Sequence, residues 1–431
     1  MKLKMKNIPE NIEGVINAPP SKSYSHRAII IASLADGESK ISNVLLAEDV
    51  LSSINVCEKL GAEINIKENY IIVKGTNGKI HNSSNEFISL GNSGTTLRLI
   101  TSISALSDNR VLLSGDSSLR ERPMGDLLNT LNDLGVNAAS LKYNDKAPLK
   151  IEPGYTGGIA TIRGDISSQF ISSLLISAPL SDKGLNLNVL KEFVSKPYVE
   201  MTIDIMDKFG VQVSKMENEA SGNVDTAFIV MPSSYTACDY IVEGDFSSAS
   251  YLLAACAIAG GEIRVNNLFE NSKQGDKVIL NILEDMGCTV EWGYDYVILK
   301  SDGNLSAVEV DLTSAPDLIC TIAVLGACAS GETVIKGVAH ARYKETDRIA
   351  TCCEALNKLN VDVEELDDGM KIKGDFTGGV VESHNDHRLA MAFSLLGLKE
   401  DVSVNDGEVF NISFPNFISV MSSIGVELEL D

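Results

Sequence analysis

Several things are missing from this 431-residue chain, and each absence narrows what it can be. No apolar run approaches the ~18–20 residues that a membrane span needs. The opening MKLKMKNIPENIEG has no apolar core of the kind a secretory signal carries. No C-x-x-C occurs among the eight cysteines, which lie mostly in apolar helical patterns and read as reduced, buried thiols of a cytosolic protein. Positive charge is scarce: 36 Lys and Arg stand against 59 Asp and Glu, a net charge of −23. That balance argues against nucleic acid or an anionic membrane as the main partner, although it leaves room for a local basic cleft. The expectation is a soluble, cytoplasmic protein whose length suits two or three domains.

What the chain does have is self-similarity. GNSGTTLRLITSISAL from Gly91 opens with glycines and small polar residues and runs into an apolar helix pattern. It is not a P-loop, because the Gly-Lys-Ser/Thr ending is missing. It has five relatives: SKSYSHRAIIIASLA from Ser21, GDISSQFISSLLISAPL from Gly164, GDFSSASYLLAACAI from Gly244, LTSAPDLICTIAVLGA from Leu312 and SHNDHRLAMAFSLLGL from Ser383. The starts are about 70–80 residues apart, the length of a repeated supersecondary unit. A second element recurs in step, an amphipathic helix ending at Gly61, Gly135, Gly210, Gly287, Asn360 or Gly425. Glycine, and after it asparagine, suits the left-handed position that follows a helix. Alternating segments such as EINIKENYIIVKG and CTVEWGYDYVILKS then read as half-buried strands.

Each unit therefore reads as strand, helix, strand, helix and hairpin, an α/β (α+β) pattern. The first helices are apolar nearly all round, so three units grouped about a shared core would bury them. Two such groups make two domains, residues 20–241 and residues 1–19 with 242–431. A regular solenoid is disfavoured because solenoid repeats usually span only about 20–50 residues.

Six loops that open helices point to anions. Helix N-termini carry free N–H groups and partial positive charge, and they bind phosphate or carboxylate readily. In so acidic a chain the basic residues beside these loops stand out: Lys22, Arg27, Arg98, Arg120, Arg122, Arg342, Lys344, Arg348 and Arg388. Arginine forks match carboxylate and phosphate oxygens. The expected ligand carries several negative groups and sits in a cationic cleft between the domains.

SKSYSHR, GNSGTTLR, RERPMGDL, GDISSQF, VSKPYVEMT, VEGDFSSASY, APD, KETDR and NDHR, in this order from about Pro20 to Pro415, resemble the enolpyruvyl transferases that act on shikimate 3-phosphate. The resemblance implies an inside-out α/β barrel fold, two domains each of three βαβαββ units, a monomer, and no metal or organic cofactor. It implies transfer of the enolpyruvyl group of phosphoenolpyruvate to the 5-hydroxyl of shikimate 3-phosphate by addition and elimination, in aromatic amino acid biosynthesis. Ser23 and Arg27 would hold the carboxylate end of the shikimate ring. Ser167, Ser168, Ser195 and Lys344 would bind its 3-phosphate, with Tyr198 nearby, His340 close to the ring and Gln169 reaching both substrates. Lys22, Gly94 and Arg122 would hold the phosphate of phosphoenolpyruvate, and Arg348 and Arg388 its carboxylate. Lys22, Asp317 and Glu345 are the candidates for proton transfer, with Glu345 as the acid for the methylene carbon and Asp317 as the base. Glu345 is placed in a helix N-terminal turn, and His387 reads as a helix-start cap.

Three positions leave the family pattern: Leu99 where members often have Pro, Ile412 where many have Lys, and His340 where several have Asn. The sister enzymes that act on UDP-N-acetylglucosamine typically open with S-G-A-K-N-A and carry a loop cysteine. This chain has SKSYSHR and no cysteine near RERPMGD. RNA phosphate cyclases have related units, but the net charge disfavours that reading. The full set of acids and cations argues against a non-catalytic anion-binding scaffold.

Overall fold

Small polar residues at five of the six loop starts act as helix caps in the computed structural model, which describes residues 1–9, 11–191, 193–217 and 224–431. Twelve α-helices run in chain order: α1 (Lys22–Leu34), α2 (Glu48–Lys59), α3 (Gly94–Ser104), α4 (Gly125–Asp133), α5 (Ser168–Ser177), α6 (Lys196–Lys208), α7 (Phe246–Ala259), α8 (Ile279–Asp285), α9 (Ile319–Cys328), α10 (Arg348–Lys358), α11 (His387–Ser394) and α12 (Phe417–Ser422), counted among the described residues. Ser21, Ser93, Ser167, Asp245 and Asp386 each accept a backbone N–H of the helix they open. Such caps satisfy donors that a helix start would otherwise leave bare, at about 1 kcal/mol each. Helix α9 is entered differently, through a 3-10 turn over Pro316–Leu318.

The even-numbered helices end as their glycines require. Gly61, Gly135, Gly210, Gly287 and Gly425 have φ of +107°, +87°, +84°, +108° and +87°, and Asn360 has +63°. The left-handed turn then directs the chain into a hairpin.

Among the described residues, six four-stranded sheets share one plan: a parallel pair of strands continued by an antiparallel hairpin. In one, Phe87–Ser89 pairs in parallel with Val111–Ser114, and Leu149–Ile151 and Ala138–Ser140 follow antiparallel. The two ends of the set depart from strict sequence order. The first sheet takes its opening strand, Tyr240–Ile241, from about 200 residues downstream, beside Glu38–Ser42. Ile12–Asn17 opens the sheet of Gly261–Asn266, and Leu3–Asn7 lies between Val402–Asn405 and Glu427–Leu430.

The chain divides into two compact units, Pro20–Val242 and Met1–Pro19 with Glu243–Asp431. Each has its own core, built on the odd-numbered helices. Every residue from Tyr24 to Leu34 is buried, as are Phe246–Ile258, Ile319–Ala327 and His387–Ser394. Full burial of each Ile, Leu or Phe side chain contributes roughly 1.5–3 kcal/mol. Hydroxyls inside these helical cores pair across helices: Ser173 Oγ donates to Leu99 O at 3.1 Å and to Ser102 Oγ at 2.8 Å, and Ser250 Oγ lies 3.0 Å from Thr321 Oγ1. Leu99 thus sits fully buried in α3. The eight cysteines are free thiols, six of them buried. No helix of the described residues is long and apolar enough to cross a membrane.

Candidate functional site

In the unit of residues 20–242, the loop starts of α1, α3 and α5 carry the polar side chains. Lys22, the first residue of α1, places Nζ 3.1 Å from Asp49 Oδ2. Arg27, one turn on, is 1% exposed. Its Nε donates to Thr202 Oγ1 at 2.7 Å, Nη1 to Ser23 O at 2.9 Å and Nη2 to Tyr198 O at 3.0 Å. All three acceptors are neutral. Burial lowers the Arg27 pKa to about 10, which still leaves the group charged at neutral pH. A buried cation held only by neutral oxygens is a ready counter-charge for an anion.

Gly94 opens α3, and the space its missing side chain leaves is filled. A Cβ there would lie 2.2 Å from Arg122 Nη1. The Arg122 guanidinium therefore lies directly against the helix start, and Nη2 donates to Asn92 Oδ1. The bare position expected to admit a phosphate admits a cation first.

Gln169, in the first turn of α5, is locked between two residues of α3. Arg98 Nη1 donates to its Oε1 at 2.9 Å, and its Nε2 donates to Thr95 Oγ1 at 3.0 Å. Ser167 caps α5 and Ser168 is its buried first residue. Ser195 adopts a left-handed conformation (φ +54°) just before α6, and Tyr198 lies in that helix's first turn. Asp49, Asn92, Thr95 and Thr202 are functional neighbours that sequence reading did not single out.

The unit of residues 1–19 and 243–431 is built on a different principle. Arg348, 1% exposed, opens α10 and spends its fork on three carboxylates. Its Nε lies 2.7 Å from Asp386 Oδ2, Nη1 2.9 Å from Asp317 Oδ1, and Nη2 2.5 Å from Glu345 Oε2. Asp317 is itself shared, with Arg388 Nη2 at 2.8 Å and Lys344 Nζ at 3.4 Å. Three carboxylates and three cations thus interlock. Burial works against the charge on Arg348, but Asp386, Glu345 and Asp317 together hold its pKa well above the ordinary value. Burial likewise opposes ionisation of Asp386, and Arg348 outweighs it.

Two expectations about local structure are corrected here. Glu345 is not in a helix N-terminal turn; it lies in the irregular link between a 3-10 turn over Ala339–Tyr343 and α10, whose cap is Asp347. His387 is not the cap of α11, since Asp386 accepts the Arg388 N–H at 2.9 Å. Asp386 stands at the switch from polar to apolar sequence, the ordinary signature of a cap, and that signal also locates Arg348's deepest partner. His340 is 8% exposed, and burial, with Lys344 beside it, lowers its pKa to about 4, so it is neutral at working pH. A fourth carboxyl went unnoticed in the sequence. Asp276, 2% exposed, accepts a hydrogen bond from Ser247 at the start of α7. Burial, with Asp317 adding to it, raises its pKa to about 7.

Comparison with known proteins gives the family in which these residues stand. Residues 6–421 match the family described as EPSP synthase (3-phosphoshikimate 1-carboxyvinyltransferase). The 3-phosphoshikimate 1-carboxyvinyltransferase of Methanobrevibacter smithii is 59% identical, with the whole of both chains covered. That of Methanothermobacter thermautotrophicus is 51% identical over 97% of this chain and 98% of its own. A solved EPSP synthase from Acinetobacter baumannii superposes with a TM-score of 0.81 at 25% identity, covering 99% of each chain. Agreement of this extent in sequence and in fold places the chain in the EPSP synthase family.

Proposed function

We propose that the two clusters together hold shikimate 3-phosphate and phosphoenolpyruvate and transfer the enolpyruvyl group from the second to the first. Membership of the family makes the chain a 3-phosphoshikimate 1-carboxyvinyltransferase, an enzyme of aromatic biosynthesis. The assignment of residues is our reading. Lys22, Gly94 and Arg122 receive the phosphate of phosphoenolpyruvate, and Arg348 and Arg388 its carboxylate. Arg27 and Ser23 hold the shikimate carboxylate, with His340 beside the ring. Ser167, Ser168, Ser195, Tyr198 and Lys344 surround the 3-phosphate, and Gln169 spans both substrates.

The observation that carries the mechanism is the sharing of Arg348 and Arg388 with Asp317 and Glu345. A substrate carboxylate that takes these guanidinium forks competes with the enzyme's own carboxylates. Asp317 and Glu345 lose cationic partners as it binds, and each gains proton affinity. The site becomes able to move protons when the substrate arrives. Asp317 then takes the proton of the 5-hydroxyl as its oxygen attacks C2 of the enol, and Glu345 delivers a proton to the methylene. In the second half a methyl proton returns to Glu345, the C–O bond to phosphate breaks, the proton held by Asp317 leaves with the phosphate, and the enol ether forms.

Glu345→Gln keeps the hydrogen-bonding shape and removes the proton. It should lower kcat about 10²–10⁴-fold with both KM values little changed. Equal loss in kcat and in affinity would make Glu345 a binding residue. Phosphate release from phosphoenolpyruvate should require shikimate 3-phosphate, and release driven by UDP-N-acetylglucosamine instead would overturn the substrate assignment.

A further inference from the structure

Behind the loop that opens α3 lies a row of buried polar side chains that the reaction does not use. His26 Nδ1, on α1, is 2.8 Å from Ser53 Oγ on α2. Ser53 Oγ is 2.7 Å from Thr96 Oγ1 on α3, and Thr96 Oγ1 is 2.7 Å from Ser93 Oγ, the cap of that helix. Thr96 Oγ1 also lies 3.4 Å from Asp49 O, on the residue that pairs with Lys22. His26, Ser53 and Thr96 are 0% exposed and Ser93 is 1% exposed. The row ends blind: His26 Nε2 is buried with no hydrogen-bond partner. Four side chains from three helices, aligned at hydrogen-bond distance in an otherwise apolar core, require a reason, because Ala and Val would pack there without any polar group to satisfy.

The row has two polarities. Burial holds the His26 pKa down to about 3, so the ring is neutral and carries one N–H. With that proton on Nδ1, His26 donates to Ser53, Ser53 to Thr96 and Thr96 to Ser93. Every N–H and O–H dipole then points toward the loop. With it on Nε2, Ser53 donates back to the ring and the run reverses, pointing away. A phosphate at the start of α3 favours dipoles directed at it, and each aligned bond polarises the next.

We infer that His26, Ser53, Thr96 and Ser93 form a positioning relay, whose direction is set toward Nδ1–H when the phosphate of phosphoenolpyruvate occupies the Gly94 loop. The inference rests on the assignment of that loop made above. None of the four residues is placed in contact with substrate; they act by holding the cap of α3 in register.

The test joins kinetics to the protonation of one ring. The chain has five histidines, so His26 can be assigned in 15N-labelled protein by comparison with His26→Gln. Addition of phosphoenolpyruvate to the whole enzyme should move Nε2 to the unprotonated and Nδ1 to the protonated resonance position, and Ser53→Ala should abolish that response. Ser53→Ala and Thr96→Val should each raise the KM for phosphoenolpyruvate about three- to tenfold, the worth of one hydrogen bond. The KM for shikimate 3-phosphate and kcat should stay within about twofold. Thr96→Ser, which keeps the hydroxyl, should restore the value. A ring tautomer indifferent to saturating phosphoenolpyruvate, or a Thr96→Ser variant as impaired as Thr96→Val, would overturn the relay. Arg122→Lys separates the two readings. If it raises the KM for phosphoenolpyruvate while Ser53→Ala does not, the relay fails alone. If neither variant moves it, the assignment of the loop has failed.

Discussion

The two units share a repeat, a sheet plan and a style of core, yet they present opposite chemistry. At its loop starts the 20–242 unit offers hydroxyls, capped helix starts, Lys22 paired with Asp49 and Arg27 held by neutral oxygens. The other unit encloses Arg348, Arg388 and Lys344 among Asp317, Glu345 and Asp386. The first arrangement is short of negative charge and suits the binding of anions. The second is balanced, and a carboxylate brought to it disturbs that balance. Fold therefore decides where the side chains stand, and in the assignment proposed above the placement of carboxylates separates the unit that binds from the unit that moves protons.

Replacing Asp317 with Asn is the most direct way to break this contrast. The amide keeps the shape but removes the charge shared by Arg348, Arg388 and Lys344 and the base we assign there. Turnover should fall about 10³-fold or more. Gln169→Glu, which places a charge in the binding unit beside Arg98, should act chiefly on the two KM values. A smaller loss in Asp317→Asn than in Gln169→Glu would reverse the roles given to the units.

Stability should separate them next. Arg348→Ala takes a shared cation from Asp386, Glu345 and Asp317, of which Asp317 keeps Arg388 and Lys344, and removing one partner of such a buried network costs about 3–5 kcal/mol. Arg27→Ala leaves a hydroxyl and two carbonyls short of a donor while also removing an uncompensated charge, so its cost should be lower, about 1–3 kcal/mol. Denaturant titration of the two variants measures the difference, and equal losses would mean that the carboxylates of the second unit relax into water.

Two buried titrating groups, Asp276 in one unit and His26 in the other, contribute opposite pH dependence. Asp276 has a folded pKa of about 7, above the ordinary carboxyl value of 3.8. Its contribution to stability is whole below that unfolded value and is lost as pH rises through about 7. His26, at about 3 against 6.5, does the reverse: its contribution is present above 6.5 and is lost as pH falls toward 3. Each limb has a slope of at most about 1.4 kcal/mol per pH unit. Asp276→Asn should flatten only the loss on the rise to neutral pH, and His26→Gln only the loss on acidification. A titration in which either variant flattened the other's limb would refute the assignment.

The contrast between units also explains what could be read in the sequence. The helix ends were legible because a left-handed φ admits little besides Gly and Asn, so Gly61 through Gly425 mark every repeat. The loop starts were legible because orphan N–H groups demand small polar caps. Long-range pairing was not legible. Nothing local ties Arg348 to Asp386, 38 residues on, or to Asp317, 31 residues back. The strand Tyr240–Ile241 closes a sheet begun about 200 residues earlier, and its short apolar pattern is too brief to announce a partner. The hydroxyls of Ser53 and Thr96 are silent in sequence because Ser and Thr are equally at home in surfaces, caps and cores.

Gly94 is where a sequence-level reading and the geometry differ most usefully, and it sharpens the comparison at the smallest scale. The absent side chain makes room for Arg122, since a Cβ would meet Nη1 at 2.2 Å. Gly94→Ala should leave α3 formed, because alanine favours a helix. The guanidinium must move away, and its hydrogen bond to Asn92 with it. The KM for phosphoenolpyruvate should rise about tenfold, the worth of one misplaced charged hydrogen bond. Adding Arg122→Lys to Gly94→Ala should then cost little more, because the cation has already left its place, and the two effects will fall short of additive. Full additivity would mean that Gly94 and Arg122 act on the phosphate independently of each other.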